Sequence, residues 1–447
     1  MMATMNDDGQ NGRSLPDGWE WTTLGASTNP SQKRVNPQNY PDLPYIGMEN
    51  VESQTMQLLG TVPAKEMKST ADSFSAGDVL YGRLRPYLNK VYQPDFEGLC
   101  STEFIIFRKA PHIHSKYLQY FLNSWDFMNF ANSLNAGDRP RVKIQQLADY
   151  PFPLPPLPEQ QKIVSRIEEI LSDLEAGVAA LWRVQLGLQR YKASVLKAAC
   201  EGKILEQDPD DVPSNEILVK VLAERKTKKP LTALPDNLSI LPTGWCWATT
   251  EQLADDSKYA LKAGPFGSSL KKEFYTPKGY KIYGQEQVIS GDPHFGDYYI
   301  DDERYEQLKS NAIKPGDILI SLVGTIGKVL ILPENIEPGI INPRLVKLSL
   351  DKRLIESKYF KIYMESEFAK HYFSTVSHGE TMQILNLGIL KLLPIPLPPL
   401  EEQRRIVAEV ERRLSVVREV ESAVEVGLVR AGRLRQAVLR SAFEGRL

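Results

Sequence analysis

Five histidines, at positions 112, 114, 294, 371 and 378, and three cysteines, Cys100, Cys200 and Cys246, are the side chains best suited to nucleophilic or metal chemistry. Their spacing supports neither. No Cys and His set has the separations of a zinc site. There is no His-Glu-x-x-His motif, no Gly-x-Ser-x-Gly elbow, no phosphate loop ending in Gly-Lys-Ser/Thr, and no dinucleotide fingerprint. Gly264-Pro-Phe-Gly-Ser-Ser269 is glycine-rich, but its proline and the missing lysine-serine pair make it a poor phosphate cradle. Asn342-Pro-Arg344 has nothing around it that resembles a methyl-donor site.

What the polar side chains offer instead is recognition. Basic and amide residues cluster beside turns: Lys33 and Arg34, Arg83 and Arg85, then Asn135, Arg139, Arg141 and Lys143. Further along come Lys262, Ser268, Ser269, Lys271, Lys272, Lys328, Arg344 and the stretch from His378 to Gln383. Arginine and lysine donate to guanine edges, and asparagine and glutamine pair with adenine. Hydroxyl and ammonium groups near glycine turns suit phosphates. Each residue taken singly is equally a turn residue facing water; the loops 82–87, 135–143, 264–272 and 379–383 are stronger candidates as groups.

The elements that must carry these loops are written twice. Phe152-Pro-Leu-Pro-Pro-Leu-Pro-Glu-Gln160 returns 243 residues later as Ile395-Pro-Leu-Pro-Pro-Leu-Glu-Glu-Gln403. Leu196-Lys-Ala-Ala-Cys-Glu-Gly-Lys-Ile204 returns at the same offset as Leu439-Arg-Ser-Ala-Phe-Glu-Gly-Arg-Leu447. Pro16-Asp-Gly-Trp-Glu-Trp21 is matched by Pro242-Thr-Gly-Trp-Cys-Trp247, and Gly77-Asp-Val-Leu80 by Gly316-Asp-Ile-Leu319. A Gly-Asp turn feeding a β-branched run starts a strand. Regions 22–150 and 248–393 read as two mixed α/β domains, each with a substantial bent sheet and an internal amphipathic helix, 116–130 and 357–373. The proline segments are expected to run extended, near polyproline II.

Each proline segment leads into a long helix. In the first, apolar positions fall at Ile163, Ile167, Ile170, Leu174, Gly177, Leu181, Val184, Leu188, Tyr191, Val195 and Ala198. This four-three spacing is that of a coiled-coil seam. The second copy, Ile406, Val410, Val417, Val420, Val424, Leu434 and Val438, is interrupted at Arg413 and Gly427. Gly202 and Gly445 stand where helix C-caps belong. The obvious partner of each helix is the other, running antiparallel. The expected division is a first recognition domain at 1–150, proline clasp and helix at 151–205, connector at 206–240, second domain at 241–393, and clasp and helix at 394–447. The stretches 181–199 and 428–440 carry arginine and lysine without any acid, which a helix C-terminus explains only in part.

Composition is ordinary for a globular chain: 447 residues, 42% hydrophobic, 25% charged, net charge -2. The near-zero charge neither supports nor opposes nucleic-acid binding, since a local patch sets the local field. Sparse, unpaired cysteines fit a reducing compartment. Residues 1–13 are polar, without an apolar leader, and no run reaches the ~20 apolar residues of a membrane span. The expectation is a cytoplasmic protein.

Together, and in order, the paired Pro-Leu-Pro-Pro-Leu-x-Glu-Gln segments, the Glu-Gly helix ends, the tryptophan openings, the Gly-Asp strands and Lys262-Ala-Gly-Pro-Phe-Gly-Ser-Ser-Leu270 resemble the DNA-specificity subunit of type I restriction-modification systems, over Leu15 to Leu447. The resemblance implies two target-recognition domains that read the halves of a split, asymmetric DNA target, with paired helices setting the gap. It implies no catalysis in this chain. Partner subunits would be two adenine methyltransferases binding S-adenosylmethionine, joined by restriction subunits that use ATP and Mg2+. A self-contained methyltransferase or nuclease, or a coiled-coil scaffold without DNA, are the alternatives.

Overall fold

In both halves of the chain the proline segment closes the domain by pairing with the strand that opens it. The computed structural model describes residues 15–134, 137–226, 234, 238–323, 325–376 and 385–447. Glu20–Thr23 lies antiparallel to Pro151–Leu154, and Cys246–Thr249 antiparallel to Pro394–Leu397. The clasps are extended as expected, but they are hydrogen-bonded strands and not free polyproline. Pairing survives because the prolines alternate, so Phe152, Leu154, Ile395 and Leu397 keep their N–H groups, and each sheet stops at two strands. Tyrosines hold the clasps from behind: the Tyr117 hydroxyl donates to the Pro153 carbonyl at 2.9 Å, and that of Tyr359 to Pro396 at 2.8 Å.

The chain divides into two units, Met1–Arg183 with Val424–Leu447, and Val184–Ala423. Each unit thus owns one repeat, the N-terminal part of that repeat's long helix and the C-terminal part of the other's. In the first unit a four-stranded sheet orders Asn29–Pro30, Phe104–Arg108, Val79–Gly82 and Val91–Tyr92. Beside it a five-stranded sheet orders Arg34–Val35, Ala71–Phe74, Gly98–Ser101, Pro44–Ile46 and Val62–Pro63, with one parallel pair. The second unit repeats this with Leu261–Ala263, Leu345–Leu348, Ile318–Ser321 and Val329–Ile331 in one sheet. Its other sheet holds Tyr299–Ile300, Tyr280–Tyr283 and Gly339–Ile341, again with one parallel pair. The single bent sheet expected per domain is therefore corrected to separate small sheets, because strands of two to five residues end at glycines and prolines before a continuous sheet can form. The Gly-Asp strands are central in their sheets, as their β-branched runs require.

The internal helices are each split in two. Ser115–Leu122 and Trp125–Ser133 are separated by Asn123 and Ser124, whose hydroxyl caps the second piece by accepting from the Phe127 N–H. Ser357–Glu365 and Glu367–Val376 break at Ser366. Serine competes for backbone partners, so periodicity alone overran the boundary. The connector contains more than a linker. Ser214–Glu224 is a helix that buries Leu218 and Val221 in the second unit's core, and the Ser214 hydroxyl donates to the Leu397 carbonyl at 2.6 Å.

The long helices span Leu157–Cys200 and Leu400–Phe443, about 66 Å each at 1.5 Å per residue. The duplicated Glu-Gln at each start is a joint. Trp19 donates its indole N–H to Glu159 at 2.8 Å, and Trp245 to Glu402 at 2.9 Å. The Gln160 amide donates to the His112 and Pro155 carbonyls and accepts from the His114 N–H. Gln403 does the same with Leu354, Pro398 and Glu356. The far ends close on left-handed Gly202 and Gly445, with Lys203 N–H to Ala198 and Arg446 N–H to Ser441, both at 2.8 Å. In the first unit Gly202's counterpart Gly445 abuts Pro16, and in the second Gly202 abuts Pro242, so each helix ends against the opening of the other repeat.

Within each unit the two helix segments run antiparallel. Arg435 reaches Glu175 and Gly427 faces Leu181 in the first, and Lys192 meets Glu421 at 2.9 Å in the second. Ile163, Ile167, Val195, Ile406, Val410, Val417, Val424 and Val438 are buried; Ile170, Leu174, Leu181, Leu188 and Val420 are half-buried. Leu434, Val184 and Tyr191 are corrections, since all three are exposed. The seam runs instead through Gln185, Lys192 and Arg435, one position along, so polar side chains hold those places. Gly427 does not break the seam but makes room for Leu181: an added Cβ would sit 3.1 Å from its Cδ1. Arg413 turns back along its own helix to Glu409, whose carboxyl is held down at about 2 by Arg412 and Arg413.

Candidate nucleic-acid interface

The candidate loops leave the fold at a junction held by the same pair of backbone hydrogen bonds in each unit. In the first, Arg83 follows the central strand Val79–Gly82; its N–H donates to the Glu103 carbonyl at 2.9 Å, and its carbonyl accepts from the Val142 N–H at 3.0 Å. In the second, Leu322 follows Ile318–Ser321; its N–H donates to the Arg344 carbonyl, and its carbonyl accepts from the Leu385 N–H, both at 3.0 Å. The two backbone hydrogen bonds are the same, and the side chains presented there differ. Glu103 in one unit stands where Arg344 stands in the other.

This junction brings two of the sequence groups together. Leu84 bridges to Arg141, and the Arg85 N–H donates to the Pro140 carbonyl at 2.8 Å, so loops 82–87 and 137–143 form one surface. Arg85 is exposed and left-handed at φ 52°. Arg139 and Arg141 are exposed, and Arg141 pairs with Glu103 at 2.6 Å. Lys143 lies at the edge, at the start of the helix Ile144–Ala148. Lys33 and Arg34 are exposed, Arg34 at the start of the neighbouring sheet's strand Arg34–Val35, where it lies opposite Asp72, and Lys33 just before it. Asn135, His378 and Gln383 lie outside the described residues.

In the second unit, Arg344 is exposed beside the junction, its N–H held by the Asn342 side chain at 2.9 Å. Gly264 packs against Asn342 and Pro343 so closely that no side chain fits there, which places the Gly264–Lys272 loop on the same face. Ser268 and Ser269 form a short turn, Lys271 pairs with Glu273 at 3.3 Å, and Lys272 is exposed. Lys262 lies over the Tyr259 ring, 5.4 Å from its centroid. Lys328 is exposed, and its ammonium is 3.5 Å from the Ile289 carbonyl. Glu103 and Phe266 went unnoticed in the sequence. Nothing marks an acid as part of a basic surface, whereas a phenylalanine between Pro265 and Gly267 in a polar turn was a readable signal.

Beneath the first surface, Asp72 is 0% exposed, and neither carboxylate oxygen has a hydrogen-bond partner among the described residues. Burial pushes its carboxyl above the usual range, against the pull of Arg34, Arg108 and Arg83. Because the folded-state value is raised, the fold favours the proton, and stability is lost as pH rises through that value. Asp72→Asn is expected to raise the free energy of unfolding measured in urea at pH 7 by about 1 kcal/mol, the order of an unsatisfied buried group. The gain should shrink to nothing at a pH below the ordinary carboxylate range. A variant less stable than wild type at pH 7 would show that the three arginines outweigh burial.

Among the described residues there is no cluster of three or more His, Cys, Asp or Glu placed to hold a metal ion, and no helix long and apolar enough to cross a membrane. The profile of the type I restriction modification DNA specificity domain matches the chain twice, at residues 22–180 and 266–413. The type I restriction enzyme EcoAI specificity subunit of Escherichia coli is 22% identical over 89% of this chain and 77% of its own length. The EcoKI specificity subunit of Escherichia coli strain K12 is 22% identical over 97% of this chain and 90% of its own. A solved chain from work on complex assembly and conformational transition of the type I R-M system superposes with a TM-score of 0.68, at 23% identity, over 97% of this chain and 100% of that one. With both repeats matched across most of their length, the chain belongs to the type I restriction-modification DNA specificity family.

Proposed function

We propose that this chain is the sequence-reading subunit of a type I restriction-modification complex, with each unit's junction surface reading one half of a bipartite, asymmetric DNA target. The observation that carries the reading is the shared junction bearing unlike side chains. One scaffold presents Arg83, Arg85, Glu103, Arg139 and Arg141, and its copy presents Arg344, Lys262 and the Gly264–Lys272 loop. A shared junction with different donors and acceptors is what two readers of different base strings require. Within the proposal the recognition domains are residues 1–150 and 241–393, and Lys33, Arg34, Lys143, Ser268, Ser269, Lys271, Lys272 and Lys328 serve mainly as phosphate contacts.

The chain recognises and does not catalyse; family membership supports this. Two methyltransferase subunits would dock on the twofold-repeated clasps and helices, with restriction subunits joining them. S-adenosylmethionine, ATP and Mg2+ would be bound by those partners, in the cytoplasm. The target adenine would leave the stack to enter a partner's pocket. The paired helices would fix the gap between half-sites, and a covalent link between readers raises the effective concentration of the second contact after the first. The test is base-resolution mapping of methylated adenines by the assembled complex, which should return two specified blocks separated by a fixed unspecified gap.

A further inference from the structure

Phe266 is 88% exposed, more than any other aromatic side chain among the described residues. The backbone that carries it is pinned on both sides. Gly264 is locked against Asn342 and Pro343, and its N–H donates to the Leu345 carbonyl at 2.8 Å. Pro265 fixes the next torsion. On the other side the Phe266 carbonyl accepts from the Ser269 N–H at 2.8 Å, and Leu270 is buried in the core. A large apolar ring is thus held in water by a loop whose backbone is anchored, at a cost that no packing among the described residues offsets.

Its position comes from the repeat. By strand register Gly264 takes the place of Lys33, since Leu261 and Pro30 pair with the equivalent residues Leu348 and Phe107. Two positions on stands Val35 in the first unit, packed against a core cluster, and Phe266 in the second. The first unit therefore packs its side chain where the second exposes a ring. The loop that carries the ring starts at Gly264, which lies against Asn342 and Pro343 next to exposed Arg344 in the chain, and continues to Lys271 and Lys272.

From this placement we propose that Phe266 is a wedge that enters a base-pair step of the DNA half-site read by the second unit, partly unstacking it and bending the duplex, while the first unit reads its half-site without such insertion. The inference rests on the DNA reading given above. An apolar side chain thrust between base steps with cations alongside is how proteins exchange stacking energy for a bent duplex. The basic flank supplies phosphate contacts that straight DNA would not reach. Specificity would then include the deformability of the invaded step, favouring a pyrimidine–purine step there.

The test uses the assembled complex and duplexes carrying its mapped target, with 2-aminopurine at each second-half position in turn except the methylated adenine, and donor and acceptor dyes at the ends. Wild type is expected to raise 2-aminopurine fluorescence at one step and shorten the end-to-end distance. Phe266→Ala should lose both signals and bind roughly five- to a hundredfold more weakly, and Phe266→Trp should retain them. Wild-type fluorescence, bend and affinity in Phe266→Ala would overturn the wedge alone. So would loss of methyltransferase co-purification in Phe266→Ala, which would make the ring a protein contact. A wild-type complex with no preference for any duplex would overturn the DNA reading and the wedge with it.

Discussion

Inserting seven residues after Glu175 and seven after Leu434 is expected to widen the unspecified gap by about three base pairs while leaving the bases of both half-sites unchanged. The two sites are chosen so that Arg435 and Glu175 stay together, and so that Ile163 to Leu174 and Val438 to Phe443 remain docked on the first unit. Seven residues preserve the seam, since a coiled coil repeats every 3.5 residues per turn. They add about 10.5 Å of helix at 1.5 Å per residue, which corresponds to about three base pairs at 3.4 Å each. Affinity is expected to fall as well. Three base pairs rotate the groove by about 100° when a turn takes 10–10.5 base pairs, whereas a coiled coil with a pitch of about 150 Å turns far less over 10.5 Å. The longer molecule must therefore twist its DNA. Methylation mapping of the variant checks this; an unaltered gap would remove the helices from any role in spacing.

Replacing residues 22–150 with the corresponding stretch of another specificity subunit is expected to rewrite one half-site completely and the other not at all. The physical ground is that the first unit closes on itself. Its clasp pairs with its own opening strand, Trp19 with its own Glu159, and Gln160 with its own His112 and His114 backbone. A foreign domain keeping those partners should dock on the native helices. Each mismatched base pair costs ~1–3 kcal/mol, so the former half-site should lose most of its methylation even with the second half intact. A change at both half-sites would mean that the two surfaces do not read independently.

Much of this was legible in the sequence because duplication and helix periodicity are long-range, redundant signals. The Glu-Gln pairs, the Gly202 and Gly445 caps and the Gly-Asp strands each occur twice, and each copy supports the other. Errors arose where a single local contact decides. Ser124 and Ser366 end helices that the apolar pattern would have continued. Leu434 and Tyr191 fit the heptad yet face solvent, because Arg435 and Lys192 find acids across the seam and draw it one position over. The prolines at 151 and 153 excluded a central strand, correctly, but alternation allows a two-stranded pair that a rule for single residues misses.

The candidate interface was legible as loops and not as a surface. Arg83 and Arg141 are far apart in the chain, and tertiary contacts such as the hydrogen bond between the Arg83 carbonyl and the Val142 N–H place them side by side. Gly264 stood out as a glycine, but its reason, the Asn342–Pro343 backbone against its α-carbon, is tertiary. Nothing in sequence distinguishes Glu103 from any other surface acid. Its pairing with Arg141 gives the first surface an acceptor beside its donors, which permits contact with cytosine as well as guanine.

Base-resolution mapping of methylated adenines in the source genome tests the central claim most directly. Two unlike readers joined at fixed separation predict one non-palindromic motif: two short specified blocks of different sequence, a constant gap of unspecified bases, and one methylated adenine in each block, on opposite strands. A continuous motif, a palindrome, or blocks at variable separation would contradict that arrangement.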